Sequence, residues 1–158
     1  MNKKILALLI FVVIATMSTA SAFGLKDLTN ASSNNTTDTT ATVDGINFKV
    51  PNGFKEVVNQ TVNNMPDDNP YVDYNQSSKT FTNAKGEAII FSVSASNIKA
   101  NDSFAKTASG GGNKTTINGV NGYSFSDPGF EGFTYAKDGK LVIISTTNKQ
   151  LLNEVIVA

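Results

Sequence analysis

The chain of 158 residues has no cysteine, no histidine, no tryptophan and no arginine. Each absence removes chemistry. Without Cys there is no disulfide, thiolate nucleophile, iron–sulfur cluster or zinc–thiolate site. Without His there is no imidazole base, no Ser-His-Asp triad and no ordinary zinc or copper site, so neither a metal nor another cofactor is expected. Arg is the preferred bidentate clamp for phosphate and carboxylate, and its absence leaves anion recognition to Lys and backbone amides. Charged residues are only 16% of the chain, against 40% hydrophobic. That apolar content suffices for a core, and the low charge speaks for uncharged polar surfaces.

Met1 to Lys4 forms a short basic head, Ile5 to Ala15 is an unbroken apolar run, and Ala20-Ser21-Ala22 precedes Phe23. These are the three parts of a secretory signal peptide, predicting residues 1–22 as a cleaved leader and a secreted or cell-surface protein. The competing reading is a retained anchor, but an apolar run of this length falls well short of the roughly twenty residues that cross a bilayer. No Cys stands at the cleavage position to carry a lipid. Missing disulfides do not argue against export, because a domain of this size can stand on its core alone. With Lys3 and Lys4 removed, eleven of the thirteen Lys face thirteen carboxylates, a net charge near −2. Such a balance attracts neither nucleic acid nor, after cleavage, a membrane surface.

Residues 23–43 read as a flexible tether. From Thr29 to Thr42 the chain is almost entirely Ser, Thr and Asn, with no large apolar side chain whose burial could offset the ordering entropy. Residues 44–158 then read as a single globular domain of short strands separated by Asn-Gly and Asp-Gly turns. Ile46, Phe48 and Val50 alternate with polar residues before Pro51-Asn52-Gly53. Lys79–Asn83 and Glu87–Ala95 flank Ala84-Lys85-Gly86 as a hairpin. Two turn signals follow each other at Asn118-Gly119 and Asn121-Gly122. Phe133–Ala136 and Leu141–Ile144 surround Lys137-Asp138-Gly139-Lys140, the clearest hairpin signature in the chain. Because Leu141 to Ile144 is apolar on both faces, that strand is expected to be central and doubly covered.

Helices are predicted over Asn101–Ser109, capped by Asn101 or Asp102 and stopped by Gly110-Gly111-Gly112, and after a capping box Thr147-Asn148-Lys149-Gln150. In the latter, Leu151, Leu152, Val155 and Ile156 share one face. Residues 54–64 have helical spacing but are rich in Val and Asn, and remain open between helix and strand. The sum is an α+β fold: an antiparallel sheet of about five to seven strands with two or three flanking helices.

The stretch Gly45-Ile46-Asn47-Phe48-Lys49-Val50-Pro51-Asn52-Gly53-Phe54, the later Ile117-Asn118-Gly119-Val120-Asn121-Gly122-Tyr123 and the closing hairpin and helix resemble small exported domains of methanogenic archaea. In order they are also similar to the Mog1/PsbP-like group. That resemblance implies an antiparallel sheet opened by a strand with a Pro-Gly-aromatic turn and flanked by helices. It carries no active site over to this chain.

Candidate sites are sparse. Seven asparagines satisfy Asn-x-Ser/Thr and are glycosylation candidates: Asn30, Asn34, Asn35, Asn59, Asn75, Asn101 and Asn113. A chain this rich in Asn, Ser and Thr also produces sequons by chance. Asp67, Asp68, Asn69, Asp73 and Asn75 gather oxygen donors, but not at EF-hand spacing, and read as a solvated acidic loop. Gly110-Gly111-Gly112-Asn113-Lys114-Thr115 invites comparison with a phosphate loop, yet Ala108 and Asn113 stand at the required Gly positions, so it reads as a connector. Of Glu56, Glu87, Glu131 and Glu154, Glu131 sits in the aromatic loop Ser126–Phe133, where a carboxylate could face a sugar. Phe130 with Tyr71 or Tyr74 could form a binding platform. No catalytic residue is assigned. The function expected is an exported, non-catalytic surface or binding domain, its partner a cell-envelope or extracellular protein or a glycan. The alternative is a small hydrolase using Asp and Glu.

Overall fold

A computed structural model describes residues 38–66 and 73–157. The chain opens with a hairpin of β1 (Thr39–Val43) and β2 (Ile46–Val50), joined at Asp44-Gly45, both with positive φ as a tight primed turn requires. A second, larger antiparallel sheet follows. Its strands are β3 (Lys55–Glu56), β4 (Val62–Pro66), β5 (Tyr74–Thr82), β6 (Ala88–Ser96), β7 (Asn113–Ile117), β8 (Val120–Asp127), β9 (Phe130–Lys137) and β10 (Lys140–Thr146). Helix α1 (Asp102–Ala108) links β6 to β7, and α2 (Lys149–Val155) follows β10.

The order across the sheet is β3-β5-β6-β10-β9-β8-β7, with β4 also paired to β5. The α+β class is as expected, but the sheet has eight strands and not five to seven. The excess arises at one edge, where β3 and β4 lie along the same side of β5, β3 against Phe81 and Thr82 and β4 against Asn75, Gln76 and Ser78. A 3-10 turn at Val58–Gln60 separates them. This is how the open segment 54–64 resolves: its valines do not form a helical stripe, and Val58 is 76% exposed.

The boundary drawn at residue 44 is corrected. Strand β1 begins at Thr39, inside the stretch read as tether, and buries Ala41 and Val43. Thr-Thr-Ala-Thr-Val is a β-branched run with small apolar residues at alternate positions, so a composition that looks like a linker also suits a pleated edge. The leader and residues 23–37 of the tether lie outside the described residues.

Strand β10 is central, and Leu141, Val142, Ile143 and Ile144 are all buried. Alternation sends them into two cores. Val142 and Ile144 join the larger one with Phe81, Ile89, Phe91, Phe133 and Tyr135, closed by the β1–β2 hairpin and by Leu151, Leu152, Val155 and Ile156. Phe48 of the hairpin stacks on Phe91 with ring centroids 4.4 Å apart. Leu141 and Ile143 face the smaller core, with Tyr123 and Ala105 of α1.

Two local readings are corrected as well. Only Asn118-Gly119 is a turn, whereas Asn121-Gly122 continues β8, because a Cβ at Gly122 would meet the Thr134 carbonyl and the Phe133 ring. Helix α2 is capped by Asn148, which accepts from the Gln150 amide, and Thr147 instead accepts from the Ala88 amide at 2.9 Å.

Candidate functional site

A recess lies where α1 hands the chain to β7. Asn101 caps α1 by accepting from the Phe104 amide at 3.1 Å. The helix ends at Ser109, and Gly110 and Gly111 then take positive φ of 66° and 83°, the left-handed conformation that favours glycine. Gly112 lies tight against β8, where a Cβ would run into the Ser124 carbonyl oxygen. Asp102 fastens the helix to the sheet: the Tyr123 hydroxyl donates to it at 2.7 Å and Lys114 lies at 3.4 Å. The Tyr123 hydrogen bond holds the Asp102 carboxyl below its ordinary value and pushes the Tyr123 hydroxyl up.

The glycine turn has no backbone N–H left for an anion. Its amides at Ser109, Gly110 and Gly111 donate to the carbonyls of Ala105, Thr107 and Lys106, and Gly112 donates to the Ser109 hydroxyl. The phosphate-loop comparison therefore fails on geometry too, since that motif works by turning free N–H groups toward phosphate. The segment is a helix terminus closing on itself.

Opposite the loop, β8 outruns β7. The last β7 pair is Asn113 with Ser124, while β8 continues to Asp127. Pro128-Gly129 closes the β8–β9 hairpin on the pair Asp127–Phe130, with Gly129 at φ 85°. In such a two-residue hairpin the closing pair exchanges hydrogen bonds and the next pair does not. Ser126, paired with Glu131, therefore turns its backbone N–H and C=O away from β9, toward the edge that β7 leaves open. The Ser126 hydroxyl donates to Glu131 Oε2 at 2.8 Å.

Together these walls enclose an open cleft of about 420 Å³, lined by Ser109–Asn113, Ser124–Ser126, Glu131 and Lys149. One carboxylate and one ammonium thus share the lining. Asp127 belongs to the opposite face of the β8–β9 ribbon, two strand steps being needed to return to Glu131's side.

No known family, curated protein or solved structure matches this chain. The cleft is thus interpreted from its own chemistry.

The other candidates fall elsewhere. Asn59, Asn75, Asn101 and Asn113 are exposed, Asn59 on the 3-10 turn and Asn113 in the cleft wall, while Asn30, Asn34 and Asn35 lie outside the described residues. The proposed aromatic platform is not formed by Tyr74, which is buried at 3% exposure beneath its sheet; Phe130 is half-buried, and Tyr71 lies outside the described residues. Of the acidic loop, Asp73 and Asn75 are exposed and Asp67 to Asn69 lie outside. Among the described residues no cluster of three or more carboxylates could hold a metal ion. None of their helices is long and apolar enough to cross a membrane.

Of the other glutamates, Glu56 and Glu87 have structural partners. Glu56 accepts from Thr61 at 2.7 Å and pairs with Lys79 at 3.4 Å. Glu87 accepts from Asn148 at 2.8 Å and from Asn83 at 2.7 Å, which hold its carboxyl below the ordinary value. Ser126 and Lys149 were not singled out from sequence as site residues. The signal for Ser126 is the length mismatch between β7 and β8, which becomes readable once the register is known.

Proposed function

We propose that the protein is an exported, non-catalytic binding domain and that the cleft between the Gly110–Gly112 loop and the β8–β9 ribbon is its ligand site. The single observation that carries the reading is the open strand edge at Ser126, which offers a backbone donor and acceptor beside a fixed carboxylate. Rigid elements on every side hold these groups before a ligand arrives, which lowers the cost of binding. Hydrolysis of a glycosidic bond would need a second carboxylate about 5–9.5 Å from the first. Among the described residues Glu131 is the one carboxylate in the cleft lining. Export is supported by the basic head, apolar run and Ala20-Ser21-Ala22. The Pro51-Asn52-Gly53-Phe54 corner after β2 and the final helix packed on the sheet are consistent with kinship to the Mog1/PsbP-like group, which we keep as a proposal for the fold's ancestry.

The test is a screen of small polar fragments followed by amide chemical shifts. Saturable shifts are expected to gather at Gly110–Asn113, Ser124–Ser126 and Glu131. Shifts gathering at another surface would overturn the assignment of the site.

A further inference from the structure

Resting on that reading of the cleft, we infer that its ligand is a neutral saccharide of one or two rings. The lining carries one charge of each sign and so favours neither. An anion would be drawn to Lys149 but opposed by Glu131, and would meet a glycine loop whose N–H groups are already donated within the chain. A cation would be drawn to Glu131 but opposed by Lys149 in the same lining. What the walls offer instead is a mixture of uncharged donors and acceptors at fixed positions: the outward N–H and C=O of Ser126 and the exposed amide of Asn113. Donors and acceptors side by side suit hydroxyl groups, which both give and accept hydrogen bonds.

The Glu131 carboxylate is held by the Ser126 hydroxyl through Oε2, so Oε1 keeps its accepting capacity for a ligand hydroxyl. Phe125 borders the same cleft from the face of β8 opposite Glu131, its ring seated over Gly132 and packed against the smaller core. An extended peptide fits less well. Ser126 is the one position of β8 left open between the end of β7 and the Pro128-Gly129 turn, too little edge for a ladder of backbone bonds. A cleft of about 420 Å³ also lies at the small end of small-molecule sites.

The experiment is a titration of isotopically labelled protein, produced with its own leader, with maltose, lactose and N,N′-diacetylchitobiose. Inorganic phosphate, spermidine and tetra-alanine serve as the anionic, cationic and peptide arms. At least one disaccharide is expected to give saturable amide shifts at Gly111, Asn113, Ser126 and Glu131, with a Kd of roughly millimolar order. Glu131→Ala should weaken it about tenfold or more, with Glu131→Gln as a second variant whose amide spectrum verifies an intact fold. If phosphate, spermidine or the peptide moves these amides and no sugar does, the ligand class is wrong and the site stands. If every probe that binds moves amides elsewhere, the site itself is overturned. No saturable shift from any disaccharide overturns the saccharide inference.

Discussion

Single atoms decide several positions in this fold. Gly132 leaves room for the Phe125 ring, and Gly112 for the Ser124 carbonyl. Gly132→Ala is expected to cost about 1–3 kcal/mol by overpacking, read as a lower denaturation midpoint, and to displace Phe125 from the cleft wall. At Tyr135, burial pushes the hydroxyl up to about 12. An unfolded tyrosine ionises near pH 10, so this residue's contribution is complete below that pH and is lost as pH rises toward the folded value. Tyr135→Phe should therefore flatten the fall of melting temperature between about pH 10 and pH 12. An unchanged alkaline profile would contradict the buried hydroxyl. Such residue-scale facts were only partly legible: the glycines at Asp44-Gly45, Asn118-Gly119 and Asp138-Gly139 announce turns, but Gly122 carries the same Asn-Gly signature and lies inside a strand. Its partner, the Phe133 ring, is set by pairing across β8 and β9.

Among elements, the central strand was the most legible, because four consecutive large apolar residues cannot alternate between core and solvent. Val142 and Ile144 enter one core, Leu141 and Ile143 the other. Ile143→Ala and Ile144→Ala are each expected to cost about 2–5 kcal/mol, by paired urea denaturation; near-neutrality of either would mean that its face is open. Helix α2 was legible from its apolar face, while its cap was misassigned by one residue. Asn148→Ala should cost about 1 kcal/mol or somewhat more, since the same side chain also donates to Glu87 at 2.8 Å. Strand β1 was hidden, because Thr-rich alternation and a solvated linker share a composition, and only docking against the core separates them. The cleft was hidden for a related reason. Glu131 was visible as a carboxylate near aromatics, but the open edge beside it is a difference in strand length that no local motif encodes.

For the molecule as a whole, low charge and, among the described residues, few ion pairs leave stability to the two cores and to hydrogen-bonded carboxylates. Asn148 and Asn83 hold Glu87 low, and Tyr123 does the same for Asp102. A carboxyl whose folded value is depressed contributes above its unfolded value and loses that contribution as pH falls through the folded one. Stability is therefore expected to be nearly level from pH 7 to about pH 5 and to decline below about pH 4; Glu87→Gln should make the acid limb shallower. The proposed binding role requires export, since a cysteine-free domain of low charge would meet its ligand in the compartment it reaches. The most direct test is N-terminal sequencing and intact-mass measurement of the native protein recovered outside the cell. The account predicts a chain beginning at Phe23, after Ala20-Ser21-Ala22. A native chain still carrying Met1 to Ala22, retained with the cells, would contradict it.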